Sequence, residues 1–125
     1  MKNETVVILG ASNNPERYSY KAFHMLKENG HQTLLVHPKL KEIEGQKCFE
    51  DLNQVIHQKI EVDTLTLYVN PEISSLMIEQ ILTLKPKRVI FNPGTENEIL
   101  KVALKKDNIL YEEACTLVLL KTGQF

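Results

Sequence analysis

The run Val6-Val7-Ile8-Leu9, closed at once by Gly10, constrains this chain more than any other feature. Four consecutive apolar residues leave no wet side, so as a strand the segment must be covered on both faces. A chain with such a strand near its start needs more strands beside it and helices above and below. The rest of the sequence supplies both. Short apolar runs recur at 33–37, 65–69, 88–92 and 109–111, which together with 5–9 make five candidate strands.

The segments between them read as helices with marked ends. A first helix lies within residues 15–29 and stops at Gly30, a residue suited to a left-handed C-terminal cap. Ile73, Leu76, Met77, Ile81 and Leu84 recur at helical spacing and form one apolar face, with Asn70 and Pro71 at its start and Pro86 beyond its end. Thr95-Glu96-Asn97-Glu98 has the residue types and spacing of a capping box, which opens another helix at Thr95. The stretch 38–63 is irregular, with a helical turn near 51–56, and periodicity does not decide whether 116–120 is a closing helix or a sixth strand. Strands alternating with helices predict a doubly wound α/β fold, a three-layer sandwich around a mostly parallel five-stranded sheet. At 125 residues the expectation is a single domain spanning 1–125.

Charge and cysteine usage narrow the function classes. Fifteen Lys and Arg against sixteen Asp and Glu give a formal net charge of −1, which argues against broad binding to nucleic acid or anionic membranes. No stretch approaches the roughly 20 apolar residues needed to cross a bilayer, and 6–9 is too short for a signal-peptide core. Cys48 and Cys115 are the only cysteines and make no CxxC pair, so a reduced, cytoplasmic setting is expected.

In an open α/β sheet, ligands bind beyond the carboxyl ends of the strands, where the strand order reverses. Gly10-Ala11-Ser12-Asn13-Asn14 follows the first strand and leads into a helix whose N-terminus can accept a phosphate. Neither the G-x-G-x-x-G dinucleotide fingerprint nor the G-x-x-x-x-G-K pattern is present, so a plain strand-to-helix turn is the competing reading. The end of the second strand carries His37-Pro38-Lys39, with Lys41 close behind, where an NAD site has an acid. A cation there fits an adenosine whose ribose bears a phosphate, as in NADP and coenzyme A; a solvated loop is the alternative.

No catalytic constellation accompanies these loops. His24, His31, His37 and His57 are scattered without zinc-site spacing, no metal site is expected, and no G-x-S-x-G elbow occurs. Gly10-Ala11 and Asn70 stand where a phospho-accepting receiver domain needs acids. Cys115 is the one residue with scope for reactivity, either as a redox thiol near a helix start or as a small buried hydrophobe.

The ordered set formed by 6–12, Asn14-Pro15-Glu16-Arg17, Ser19-Tyr20, His37-Pro38-Lys39, 42–48, 92–98 and 115–118 resembles the small stand-alone CoA-binding-domain proteins. These are similar to the CoA-binding domain of the succinyl-CoA synthetase alpha subunit. The resemblance runs from about residue 5 to residue 120 and implies a Rossmann-like fold that holds the 3′-phosphoadenosine end of coenzyme A. It implies that Gly10, Ala11 and Ser12 cradle phosphate, with Asn14, Arg17 and Ser19 near the helix start. His37, Pro38 and Lys39 would flank the adenosine and its phosphate, Val69 and Pro71 would line the adenine side, and Pro93-Gly94 would shape the mouth for the pantetheine arm. Tyr18 and Tyr20 either stack on adenine or pack against the sheet.

The synthetase has a second domain and a phosphorylated histidine with no equivalent here, so the resemblance implies binding of coenzyme A or an acyl-CoA and no ligase reaction. The competing functions are an NADP-dependent reductase, or a subunit of one, and a regulatory docking module without ligand. A homodimer through an outer helix or edge strand is compatible with either. If Lys39 contacts a ribose phosphate directly, Lys39→Glu costs at least about 1.5 kcal/mol of binding.

Overall fold

The computed structural model describes residues 3–125. The strand β1 (Thr5–Leu9) forms the centre, pairing in parallel with β2 (Gln32–Val36) on one side and β5 (Thr64–Leu67) on the other. Its side chains alternate between two cores, as a pleated strand requires. Val7 and Leu9 join one apolar cluster, and Val6 and Ile8 join the other. The first cluster lies under α2 (Leu52–His57), α4 (Ile78–Leu84) and α5 (Glu98–Lys106), through Leu52, Val55, Ile81, Leu100 and Leu104. The second lies under α1 (Tyr18–Glu28) and α6 (Thr116–Lys121), through Phe23, Leu26 and Leu120. This is the doubly wound, Rossmann-like sandwich expected.

The sheet has seven strands rather than five, in the order β3-β4-β2-β1-β5-β6-β7. The two additional strands, β3 (Glu42–Ile43) and β4 (Gln46–Phe49), lie within the stretch read as irregular. They form an antiparallel hairpin about Glu44 and Gly45, whose φ angles of 50° and 82° suit a tight two-residue turn. Strands of two and four residues are too short for an apolar period to register. β4 then adds to β2 in parallel, and β6 (Arg88–Phe91) and β7 (Leu110–Glu113) extend the other side.

Two helix expectations change, and one open alternative is decided. The apolar period over 73–84 is two helices, α3 (Pro71–Ser75) and α4, separated at Leu76 and Met77. Ile73 and Leu76 are exposed despite their spacing, so no continuous buried face exists. The cap of α5 is Asn97 rather than Thr95: the Asn97 carboxamide oxygen accepts from Leu100 N at 3.1 Å. Thr95 instead donates its hydroxyl to the Asn92 carbonyl at 2.8 Å, and Glu96 accepts from Gly94 N. The segment left open at 116–120 is helical. Asn70 caps its helix as expected, accepting from Ile73 N, and Asp51 caps α2 by accepting from Gln54 N. No helix of the described residues is long and apolar enough to cross a membrane.

Candidate functional site

The strand order reverses between β1 and β5, and the carboxyl ends of these strands open into a cleft of about 800 Å³. That size falls in the range of about 300–1,000 Å³ usual for small-molecule sites. Its floor is the turn after β1. Gly10 N and Ala11 N both donate to the Val36 carbonyl, at 3.1 and 3.0 Å, which draws the turn against β2. Gly10 has φ +93°, and a Cβ there would lie 2.9 Å from the Tyr68 carbonyl oxygen. Only glycine allows the chain to pass this close to β5.

Beyond Ala11 the loop folds on itself. Ser12 Oγ accepts from Asn14 N, and Asn14 Oδ1 accepts from Glu16 N, both at 3.0 Å. These bonds turn the chain into α1. Arg17 stands at the N-cap with extended backbone and makes no side-chain cap bond, and the first turn of α1 contains no acid. The main-chain donors of Tyr18, Ser19 and Tyr20 are therefore open, the condition in which a helix start attracts anions. Ser19 is buried at 4% exposure and lines the cleft.

The second wall is the turn after β2. His37 N donates to the Phe49 carbonyl at 3.0 Å, which ties the turn to β4, and Pro38 is exposed at the cleft edge. Opposite stand Tyr68, Val69 and Asn70 from the turn after β5, and Ile73 from α3. Burial pushes the Tyr68 phenol up to about 12, and the nearby Thr116 and Thr66 hydroxyls offset this only in part. The mouth is formed by Pro93, Gly94 and Thr95. Two buried asparagines bracket that turn. Asn92 donates to Thr66 Oγ1 at 2.6 Å and to the Leu67 carbonyl at 2.8 Å, and accepts from Thr116 N at 2.9 Å. Asn97 donates to the Pro71 carbonyl, Ser74 Oγ and Ser75 Oγ, which joins α5 to α3.

The structure thus brings Gly10, Ala11, Ser12, Arg17, Ser19, His37, Pro38, Val69, Pro93 and Gly94 around one space. Asn14, Lys39 and Pro71 stand outside the lining. Asn14 serves the turn, Pro71 opens α3, and Lys39 is exposed. Cys115 is also outside it, half-buried at the N-cap of α6. Tyr68, inside an expected strand, and Ile73, on an expected apolar helix face, line the cleft as well. The signal for Tyr68 was the end of the apolar run: β5 stops at Leu67, so Tyr68 and Val69 are loop rather than strand. Among the described residues no cluster of three or more His, Cys, Asp or Glu could hold a metal ion.

A glycine turn at the switch point of a doubly wound sheet is the place where Rossmann-like folds bind their ligands. Residues 4–121 match the CoA binding domain family, and the chain belongs to that family. An uncharacterized protein of known structure is similar over the whole of both chains, at 42% identity and a TM-score of 0.91. A protein from Thermus thermophilus is 25% identical over 98% of this chain and 91% of its own, with a TM-score of 0.87. A conserved hypothetical protein from Pyrococcus furiosus is 28% identical over 94% of this chain and 98% of its own, with a TM-score of 0.80.

Proposed function

We propose that this protein binds coenzyme A, or an acyl-CoA, in the cleft between the ends of β1, β2, β5 and β6. The observation that carries the reading is the convergence on the Gly10 turn of an open helix start and the buried Ser19, which lines the cleft. A pyrophosphate seated there takes main-chain donors from the first turn of α1, with the Arg17 guanidinium at the rim. The adenosine then lies between His37-Pro38 and Val69-Ile73, and the pantetheine arm leaves past Pro93 and Gly94. Arg17 and Glu16 are the only formally charged residues of the lining, and no acid–base pair is positioned for proton transfer. The role is to hold the coenzyme rather than to transform it.

Isothermal titration with CoA, dephospho-CoA and NADP at one salt concentration tests this. Binding of CoA with a clear loss for dephospho-CoA is the expected result. Binding of NADP without CoA overturns it in favour of a reductase component, and silence with all three leaves a docking module.

A further inference from the structure

We infer that the Nε2–H of His37, and not the ammonium of Lys39, is the donor that reads the phosphate on the adenosine ribose. This rests on the coenzyme reading above and adds which group selects the phosphorylated ribose.

The other ring nitrogen is engaged by the backbone. His37 Nδ1 accepts from Lys39 N at 3.0 Å and from Leu40 N at 3.1 Å. A nitrogen whose lone pair meets two main-chain donors carries no proton, so the proton of the neutral ring is on Nε2. The turn that follows β2 therefore sets the tautomer and the orientation of the ring together. The main chain of His37 is anchored as well, through its N–H to the Phe49 carbonyl. Nε2 has no partner within the protein and is not among the buried polar atoms sealed from solvent. His37 lines the cleft, at the strand end where ribose substituents meet the protein in doubly wound folds.

Lys39 differs in each respect. It is exposed and outside the lining, and its one fixed contribution is the main-chain N–H that holds the His37 ring. An ammonium on a flexible stem attracts any anion nearby, whereas an N–H locked in place rewards an oxygen at one position. Discrimination between a ribose with a phosphate and one without is the task of the second kind of donor. The two backbone bonds to Nδ1 play the part of outer-shell partners that fix which nitrogen donates.

Two substitutions separate the ring's two roles. In H37N the carboxamide oxygen takes over the acceptor position near the backbone, keeping the turn, and no donor reaches the place of Nε2. In H37Q the longer side chain carries an N–H out to that place but gives the turn no acceptor. Calorimetric titration of wild type, H37N, H37Q and K39A with CoA and dephospho-CoA, alongside thermal melts, provides the readout. H37N is expected to weaken CoA binding by about tenfold or more, the scale of a hydrogen bond to a charged group, with dephospho-CoA changed by less than about twofold. H37Q is expected to keep a preference for CoA, and K39A to stay within about threefold of wild type at 0.15 M salt. Equal losses for both ligands in H37N, wild-type CoA affinity in H37N, or loss of the preference in H37Q overturns the assignment to His37 alone. A wild-type protein that binds neither ligand overturns the coenzyme reading itself and this inference with it.

Discussion

Gly10 and Tyr68 meet so closely that a single added carbon on Gly10 would press to 2.9 Å from the Tyr68 carbonyl oxygen and 3.0 Å from its carbon. Both contacts are with backbone, which cannot swing aside. Gly94 shares the positive φ, at +91°, but nothing stands within 4 Å of its missing Cβ. The pair separates conformational strain from collision. Gly94→Ala carries only the backbone term, about 1–2 kcal/mol. Gly10→Ala carries that and a clash with the turn after β5, of about 1–3 kcal/mol more. Thermal or urea unfolding of the two variants is expected to show Gly10→Ala as clearly the less stable. Equal losses would mean that the β1–β5 approach relaxes freely.

Asn92 governs the opposite side of the cleft from within. It is 2% exposed and spends its carboxamide on three bonds, to Thr66 Oγ1, the Leu67 carbonyl and Thr116 N. Asn92→Ala leaves a carbonyl and an N–H buried without that partner, at about 1–3 kcal/mol each. A destabilisation of about 3 kcal/mol is expected from denaturant unfolding, with a mobile Pro93-Gly94 turn in the folded fraction. A variant within 1 kcal/mol of wild type, about the net worth of one hydrogen bond, would show that water replaces the network.

If the cleft holds coenzyme A as proposed, Lys39 acts on it only through its field. Being exposed and outside the lining, it has no built contact whose loss would cost the 1.5 kcal/mol or so expected for a direct bond to a ribose phosphate. Lys39→Glu is expected to weaken CoA binding at low ionic strength and to approach wild type as salt rises, because the screening length falls from about 30 Å at 0.01 M to about 3 Å at 1 M. Titration at several salt concentrations checks this. A loss that persists undiminished at high salt would restore the direct contact.

How much of this was legible in the sequence follows from what each signal measures. β1 was plain because four apolar residues in a row have one structural meaning when a glycine turn follows. The β3–β4 hairpin was not, because two and four residues cannot establish a period and its turn residues, Glu44 and Gly45, lack the Asn-Gly or Asp-Gly signature. Periodicity counts residue types and not what covers them, so Ile73 and Leu76 joined a face that is partly solvent. The loops that build the cleft were readable from the rule for open sheets. The anchoring of the His37 ring was not, since it is set by which backbone groups arrive at Nδ1, and no spacing in the sequence records that.

His31 gives the fold its own pH dependence away from the cleft. It is 5% exposed, its Nδ1 accepts from Glu4 N at 3.0 Å, and its ring packs tilted against Phe125 at a centroid distance of 5.0 Å. Burial lowers its pKa below the ordinary value of about 6.5; Glu4 draws it back up, and Arg88 pushes in the same direction as burial. The folded protein therefore holds a proton on this ring less readily than the unfolded chain. Above pH 6.5 or so both states are neutral there and stability is unaffected. As pH falls through that value the unfolded chain takes up the proton first, and stability declines until the folded-state pKa is passed. His31→Asn keeps an acceptor for Glu4 N and removes the titration. Thermal melts at a series of pH values between about 7.5 and 5 are expected to fall more steeply for wild type than for His31→Asn. Parallel curves would place the acid sensitivity of the protein in other groups.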